Sequence, residues 1–176
     1  EDDNLVSLLW YGIEPAVMED VPRALRLTQQ TKIDSLRTWI ARRITVEVDR
    51  QPTALAQLLD MAASAEKAST VQQRQLLAGI RDGLQGRRQL TVPANWERAQ
   101  KRWRQTGDPQ IAAMLKQVGV IFGDGVAMKE LLKTARDKAL PAATRRSALQ
   151  SMISVKAAGT ASLLQSLVND RAVQSV

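Results

Sequence analysis

Leu131-Leu132-Lys133-Thr134-Ala135-Arg136-Asp137 leads into Arg145-Arg146-Ser147-Ala148-Leu149, and the pattern returns roughly 33 residues later. There, Leu163-Leu164-Gln165-Ser166-Leu167-Val168-Asn169-Asp170 leads into Arg171-Ala172-Val173. Each copy has a Leu-rich helix, an Asp at its end and an Arg entering the next helix. Apolar residues three and four apart share one helix face, which must be buried against a neighbour. The same spacing extends outward in both directions. Leu5, Leu8, Leu9 and Ile13 form one stripe, and Ile33, Leu36, Ile40 and Ile44 another. Leu55, Leu58, Leu59 and Ala62 follow, then Leu76, Leu77, Ile80 and Leu84. Ile111, Leu115, Val118 and Phe122 precede Met128, Leu131, Leu132 and Ala135, with Leu149, Met152 and Ile153 beyond. No six-residue stretch alternates cleanly with period two. The nearest to a strand, 44–48, continues a helical stripe.

The punctuation agrees. Asp20, Asp108 and Asp124 are N-cap residues by type, able to accept from the free N–H groups of a first turn. Pro22, Pro52, Pro93, Pro109 and Pro141 stand where a first turn tolerates proline. Pro15 either kinks the first helix or marks its last turn. Gly107, Gly123 and Gly159 mark helix ends. These signals predict helices at 4–18, 21–31, 33–48, 53–66, 70–86, 94–106, 109–122, 125–139, 142–156 and 160–169, with Leu36, Ile40, Leu58, Leu77, Ile80, Leu132 and Leu164 buried. Short connections make sequential helices antiparallel. Helix pairs of this length, repeating, resemble the HEAT repeat, an α-solenoid unit. The expected fold is therefore all-α, a right-handed solenoid of HEAT-like pairs. Asp137 and Asp170 would cap or pair with the following arginines.

Composition narrows the function by exclusion. The 176 residues are 44% hydrophobic and only 3% aromatic, with no Cys and no His. A disulfide framework, a Cys or His zinc site, an attached c-type haem and Ser-His-Asp or Cys-His catalysis are all excluded within this chain. The longest uncharged run, 157–169, is too short to span a bilayer, which needs about 20 apolar residues. The chain reads as a single domain, 1–176, taken from a longer protein, with the polar Gly/Arg loop at 85–93 dividing sub-blocks 1–88 and 93–176.

Charge is uneven within a net +7. Residues 1–20 carry acids and no base, whereas 74–104 hold Arg74, Arg81, Arg87, Arg88, Arg98, Lys101, Arg102 and Arg104 against Asp82 and Glu97. Such a basic centre either attracts a polyanion or is a solvated helix face. Its sharpest feature is Trp96, Arg98, Lys101, Arg102, Trp103 and Arg104, the candidate interaction surface. Aromatics there would stack bases while arginines hold phosphates. Alkylpurine DNA glycosylases use a HEAT-like solenoid in that way. The plainer reading packs both tryptophans into the core and leaves the cations in water.

A further resemblance rests on Asn4-Leu5-Val6-Ser7-Leu8-Leu9-Trp10-Tyr11-Gly12-Ile13-Glu14-Pro15. With Leu36-Arg37-Thr38-Trp39-Ile40-Ala41-Arg42-Arg43-Ile44, the 76–87 stretch and Pro93-Ala94-Asn95-Trp96, it resembles the helical region of planctomycete-type membrane-bound dehydrogenases. Those proteins join a β-propeller, a HEAT-like region and a c-type haem domain. The resemblance implies an exported location and a parent enzyme, but no catalytic residue of that family falls on a position here. Glu14, Asp82 and Glu97 remain as acid/base candidates, with Glu14 beside Trp10 and Tyr11 and within reach of Arg42 or Arg43. Gly123-Asp124-Gly125 lacks phosphate-loop spacing. The expected function is non-catalytic scaffolding toward neighbouring domains or a protein partner, without cofactor. Polyanion binding through 74–104 is the alternative.

Overall fold

The computed structural model describes residues 3–65, 68–87, 90–123, 125–154 and 165. Among them are α-helices and no strand: α1 (Asp3–Glu19), α2 (Val21–Gln30), α3 (Asp34–Val46), α4 (Pro52–Ser64), α5 (Thr70–Gly83), α6 (Trp96–Arg104), α7 (Pro109–Ile121), α8 (Gly125–Arg136) and α9 (Ala142–Ser154). Each matches an expected helix to within about a turn. The tenth expected helix, 160–169, lies outside the described residues apart from Gln165. The 44–48 stretch ends α3 and enters a turn, as its stripe required.

The ends follow local chemistry. Asp20 caps α2 by accepting from the Arg23 N–H at 2.9 Å. Asp108 accepts from the N–H groups of Gln110 and Ile111 at 2.9 Å each. Ser69 and Gln72 close a reciprocal capping box at the start of α5. Asp124 lies outside the described residues. Gly107 and Gly123 take φ of +66° and +68° just beyond α6 and α7, a conformation only glycine adopts cheaply. Helix α1 continues through Pro15 to Glu19.

The chain divides into two compact units, Glu1–Gln85 with Pro93–Leu115, and Gly86–Val92 with Lys116–Val176. The boundaries fall at both ends of the 86–92 segment, within the loop singled out in the sequence, and again inside α7. Helix α6 stays in the first unit because it packs on α4 and because Asn95 donates to the Ala56 carbonyl at 3.2 Å. In that unit α1 packs on α3 and α3 on α5, while α2 packs on α4 and α4 on α6. Contacts of α1 with α2, α2 with α3 and α3 with α4 join the two rows.

The first unit's core is built from Leu36, Ile40, Ile44, Leu55, Leu58, Leu59, Leu77, Ile80, Trp96 and Trp103, all essentially inaccessible. The closest approach is α3 against α5. A Cβ on Gly79 would collide with the Thr38 carbonyl oxygen, and one on Gly83 would lie 2.7 Å from the Thr45 Cβ. Two glycines one turn apart therefore set this interhelical distance. Arg37, 2% exposed, ties three helices together. It donates to the carbonyls of Thr28 (3.0 Å) and Thr31 (2.6 Å) and to the Gln75 side chain.

In the second unit α8 packs on α9, with Leu131, Ala135, Ala148, Leu149 and Met152 buried. Leu132 is half-buried, contrary to expectation, because Leu131 and Ala135, four apart, take the inward face. Leu164 lies outside the described residues. Asp137 turns locally, accepting from the Ala139 N–H at 3.0 Å, and buried Arg145 donates to the Ala135 carbonyl at 3.1 Å. The Leu90 N–H donates to the Ile121 carbonyl at 2.9 Å.

Candidate functional site

Helix α6 carries the surface singled out from sequence. Its nine residues place Trp96, Ala99 and Trp103 on one buried face, with the indole centroids 6.2 Å apart and tilted by 55°. Trp96 is 2% exposed and Trp103 not at all. The rings are core, and no base can stack on them. Of the cations, Arg98 lies 3.9 Å from Asp60 and donates to Ser64 at 3.4 Å, and Arg102 donates to the Ala65 carbonyl at 3.3 Å. Lys101 and Arg104 are exposed and meet no acceptor among the described residues. Elsewhere in the basic centre, Arg74 pairs with Asp108 at 2.6 Å and Arg81 with Asp82 at 2.7 Å. Arg88 lies outside the described residues. Acids from elsewhere in the chain thus face two of these cations, Asp108 on Arg74 and Asp60 on Arg98.

The Asp108 carboxyl is held below the ordinary carboxylate range. The Ile111 N–H contributes most; the paired Arg74 and the Gln110 N–H add to it, against some desolvation. This is a capped helix start braced by a cation, a structural arrangement. Asp82 is bound to its neighbour Arg81, and Glu97 is exposed on α6. Among the described residues no three acids gather where a metal ion would sit.

A second group of functional residue types meets between α1 and α3. Helix α1 presents Ser7, Trp10, Tyr11 and Glu14, spaced at i, i+3, i+4 and i+7. Helix α3 presents Trp39, Arg42, Arg43 and Val46 at the same spacing. The two sets line an open cleft of about 420 Å³. The indoles of Trp10 and Trp39 stand 5.7 Å apart, tilted by 49°, and both are half-buried. Tyr11 is 70% exposed. Arg43 donates to Glu47 at 2.6 Å and lies 3.8 Å from Glu14, close to the pairing expected of that carboxylate. Arg42 is exposed and finds no acceptor among the described residues.

Compared with models of known protein families, with curated proteins and with solved structures, the chain matches none.

The cleft was half-visible in the sequence. Trp10, Tyr11 and Glu14 stand together in one run, with Arg42 and Arg43 named as partners for the acid. What linear reading missed is Trp39, which completes the cleft from the next helix of the row. The α1 stripe also differs from expectation, because Leu5, Leu8 and Leu9 are exposed. Helix α1 packs on α2 and α3 through the side carrying Val17, and nothing among the described residues covers the leucines.

Proposed function

We propose that the chain is a stretch of HEAT-like α-solenoid serving as a non-catalytic scaffold, which joins or orients neighbouring domains and offers a surface to a protein partner. The observation supporting this reading is the packing of every second helix in the first unit, α1 with α3 with α5 and α2 with α4 with α6. Each helix pair buries its apolar face only by stacking on the next, which is the physical basis of a solenoid. A helix face that no neighbour covers then keeps its apolar side chains in water until something packs on them. Leu5 and Leu8, about two-thirds exposed, are in that condition.

By resemblance, the parent is an exported dehydrogenase-type protein with a β-propeller and a c-type haem domain. With no Cys and no His, this chain does not fit covalent haem, so that group would belong to another part of the parent. The test is the native gene product purified from the cell envelope. It is expected to be a chain much longer than 176 residues that stains for covalent haem. A native product with no haem and no propeller removes the dehydrogenase parentage.

A further inference from the structure

We infer that the cleft between α1 and α3 is a binding site for a small aromatic monocarboxylate. The inference stands on the geometry of this cleft and does not rest on the solenoid or scaffold reading. A volume of about 420 Å³ lies within the ordinary range of small-ligand sites, about 300–1,000 Å³. Its walls are unusually aromatic for a chain with so few aromatic residues. Trp10, Tyr11 and Trp39 are half of the six Trp, Tyr and Phe residues of the sequence, and none of the three is buried. The other three, Trp96, Trp103 and Phe122, are fully enclosed. Aromatic surface left in water next to a concave wall is surface that a ring-shaped ligand covers with gain.

Charge selects what the ring carries. Arg43 is held by Glu47 through one terminal nitrogen, while its Nε is buried without a hydrogen-bond partner and faces Glu14 at 3.8 Å. Arg42 lines the cleft with no acceptor among the described residues, and its planar guanidinium matches a carboxylate through two parallel N–H donors. A phosphate dianion fits less well, because Arg43 already carries an ion pair with Glu47 and the Glu14 carboxylate stands nearby. A cationic ligand would meet Glu14 already facing Arg43 and would be repelled by Arg42. The class that fits is one ring, one carboxylate and a short link between them.

The test is a titration of the full chain with phenylacetate, followed by tryptophan fluorescence, with benzylamine and benzyl alcohol as matched cationic and neutral probes. Saturable quenching by phenylacetate with a Kd of about 0.1–1 mM is expected, as for a fragment of this size. Arg42→Ala lies on an exposed side chain and keeps the helical circular dichroism. It should weaken phenylacetate at least tenfold, in line with loss of a charge-assisted hydrogen bond. Glu14→Gln should leave binding unchanged or tighten it. Several results would each overturn the assignment: no saturation by phenylacetate, benzylamine or benzyl alcohol binding as tightly, full binding in folded Arg42→Ala, or loss of binding in folded Glu14→Gln.

Discussion

Arg37 and Arg145 make the same bond in different units: each buries its guanidinium and donates Nε–H to a carbonyl late in the preceding helix, Thr28 at 3.0 Å and Ala135 at 3.1 Å. A helix leaves its last carbonyls without partners, and a buried end must find donors for them. The arginine on the following helix supplies them and fixes the turn between the two. For Arg37 the accepting set is complete enough to price. Arg37→Ala leaves the buried Thr28 carbonyl without its donor, at roughly 1–3 kcal/mol, and the part-buried Thr31 carbonyl without its own, at less. Urea unfolding should show a loss of about 3 kcal/mol. Arg37→Lys should recover little of it, because one ammonium cannot reproduce the fork that reaches both carbonyls and Gln75.

Two glycines with opposite surroundings give a paired prediction. In an ordinary helix Gly→Ala gains up to about 1 kcal/mol. Gly12 is exposed on α1, with nothing within 4 Å of an added Cβ. Gly12→Ala should therefore raise stability by about 0.5–1 kcal/mol. At Gly79 the added methyl meets the backbone of α3, which cannot give as a flexible side chain would. Overpacking of about 1–3 kcal/mol then outweighs the propensity gain. Gly79→Ala should lower the thermal midpoint, and a midpoint at or above that of the parent would show that α3 and α5 are not in close contact there.

The helices were legible because each depends on near neighbours: stripes such as Leu36, Ile40 and Ile44, caps such as Asp20 and Asp108, and glycines such as Gly107. What linear reading could not supply depends on which helix lies beside which. The basic centre is concentrated in sequence, yet Asp108 and Asp60 come from other helices to face Arg74 and Arg98. Leu5, Leu8 and Leu9 have the spacing of a core stripe, but burial needs a neighbour on that side, and a pattern carries no information about one. The need for glycine at 79 and 83 comes from α3 lying against them, which the sequence of α5 does not show. The α1–α3 cleft required Trp39 to be set beside Trp10, which no local signal does.

The Asp108 cap predicts a pH dependence whose sign is fixed. Its carboxyl is depressed in the folded chain, chiefly by the Ile111 N–H, with Arg74 adding to the effect. A depressed folded value means that the stabilisation is fully present above the ordinary aspartate range, near pH 4, and is lost as pH falls through the folded value. Asp108→Asn keeps a cap-forming side chain but cannot be charged. The stability gap between parent and Asp108→Asn should be constant at neutral pH and close in acid. A gap that widens on acidification would mean that the carboxylate is not the stabilising form.

Polyanion binding through the basic centre 74–104 is the alternative to the proposed scaffold, and the buried indoles of α6 shape what it can look like. Because Trp96 and Trp103 are enclosed, added single-stranded DNA or RNA has no ring there to quench. Any association must be ionic, carried mainly by Lys101 and Arg104. Counterion release then gives a shallow dependence on salt, roughly 0.9 in the log–log slope for each phosphate engaged. Replacing both residues with Ala should flatten that slope by about two units if the face binds at all. At physiological salt the affinity should be no tighter than about 10⁻⁵ M, in the non-specific range. A nanomolar, sequence-selective complex would need base contacts that this helix does not present, and it would overturn the proposal of a scaffold.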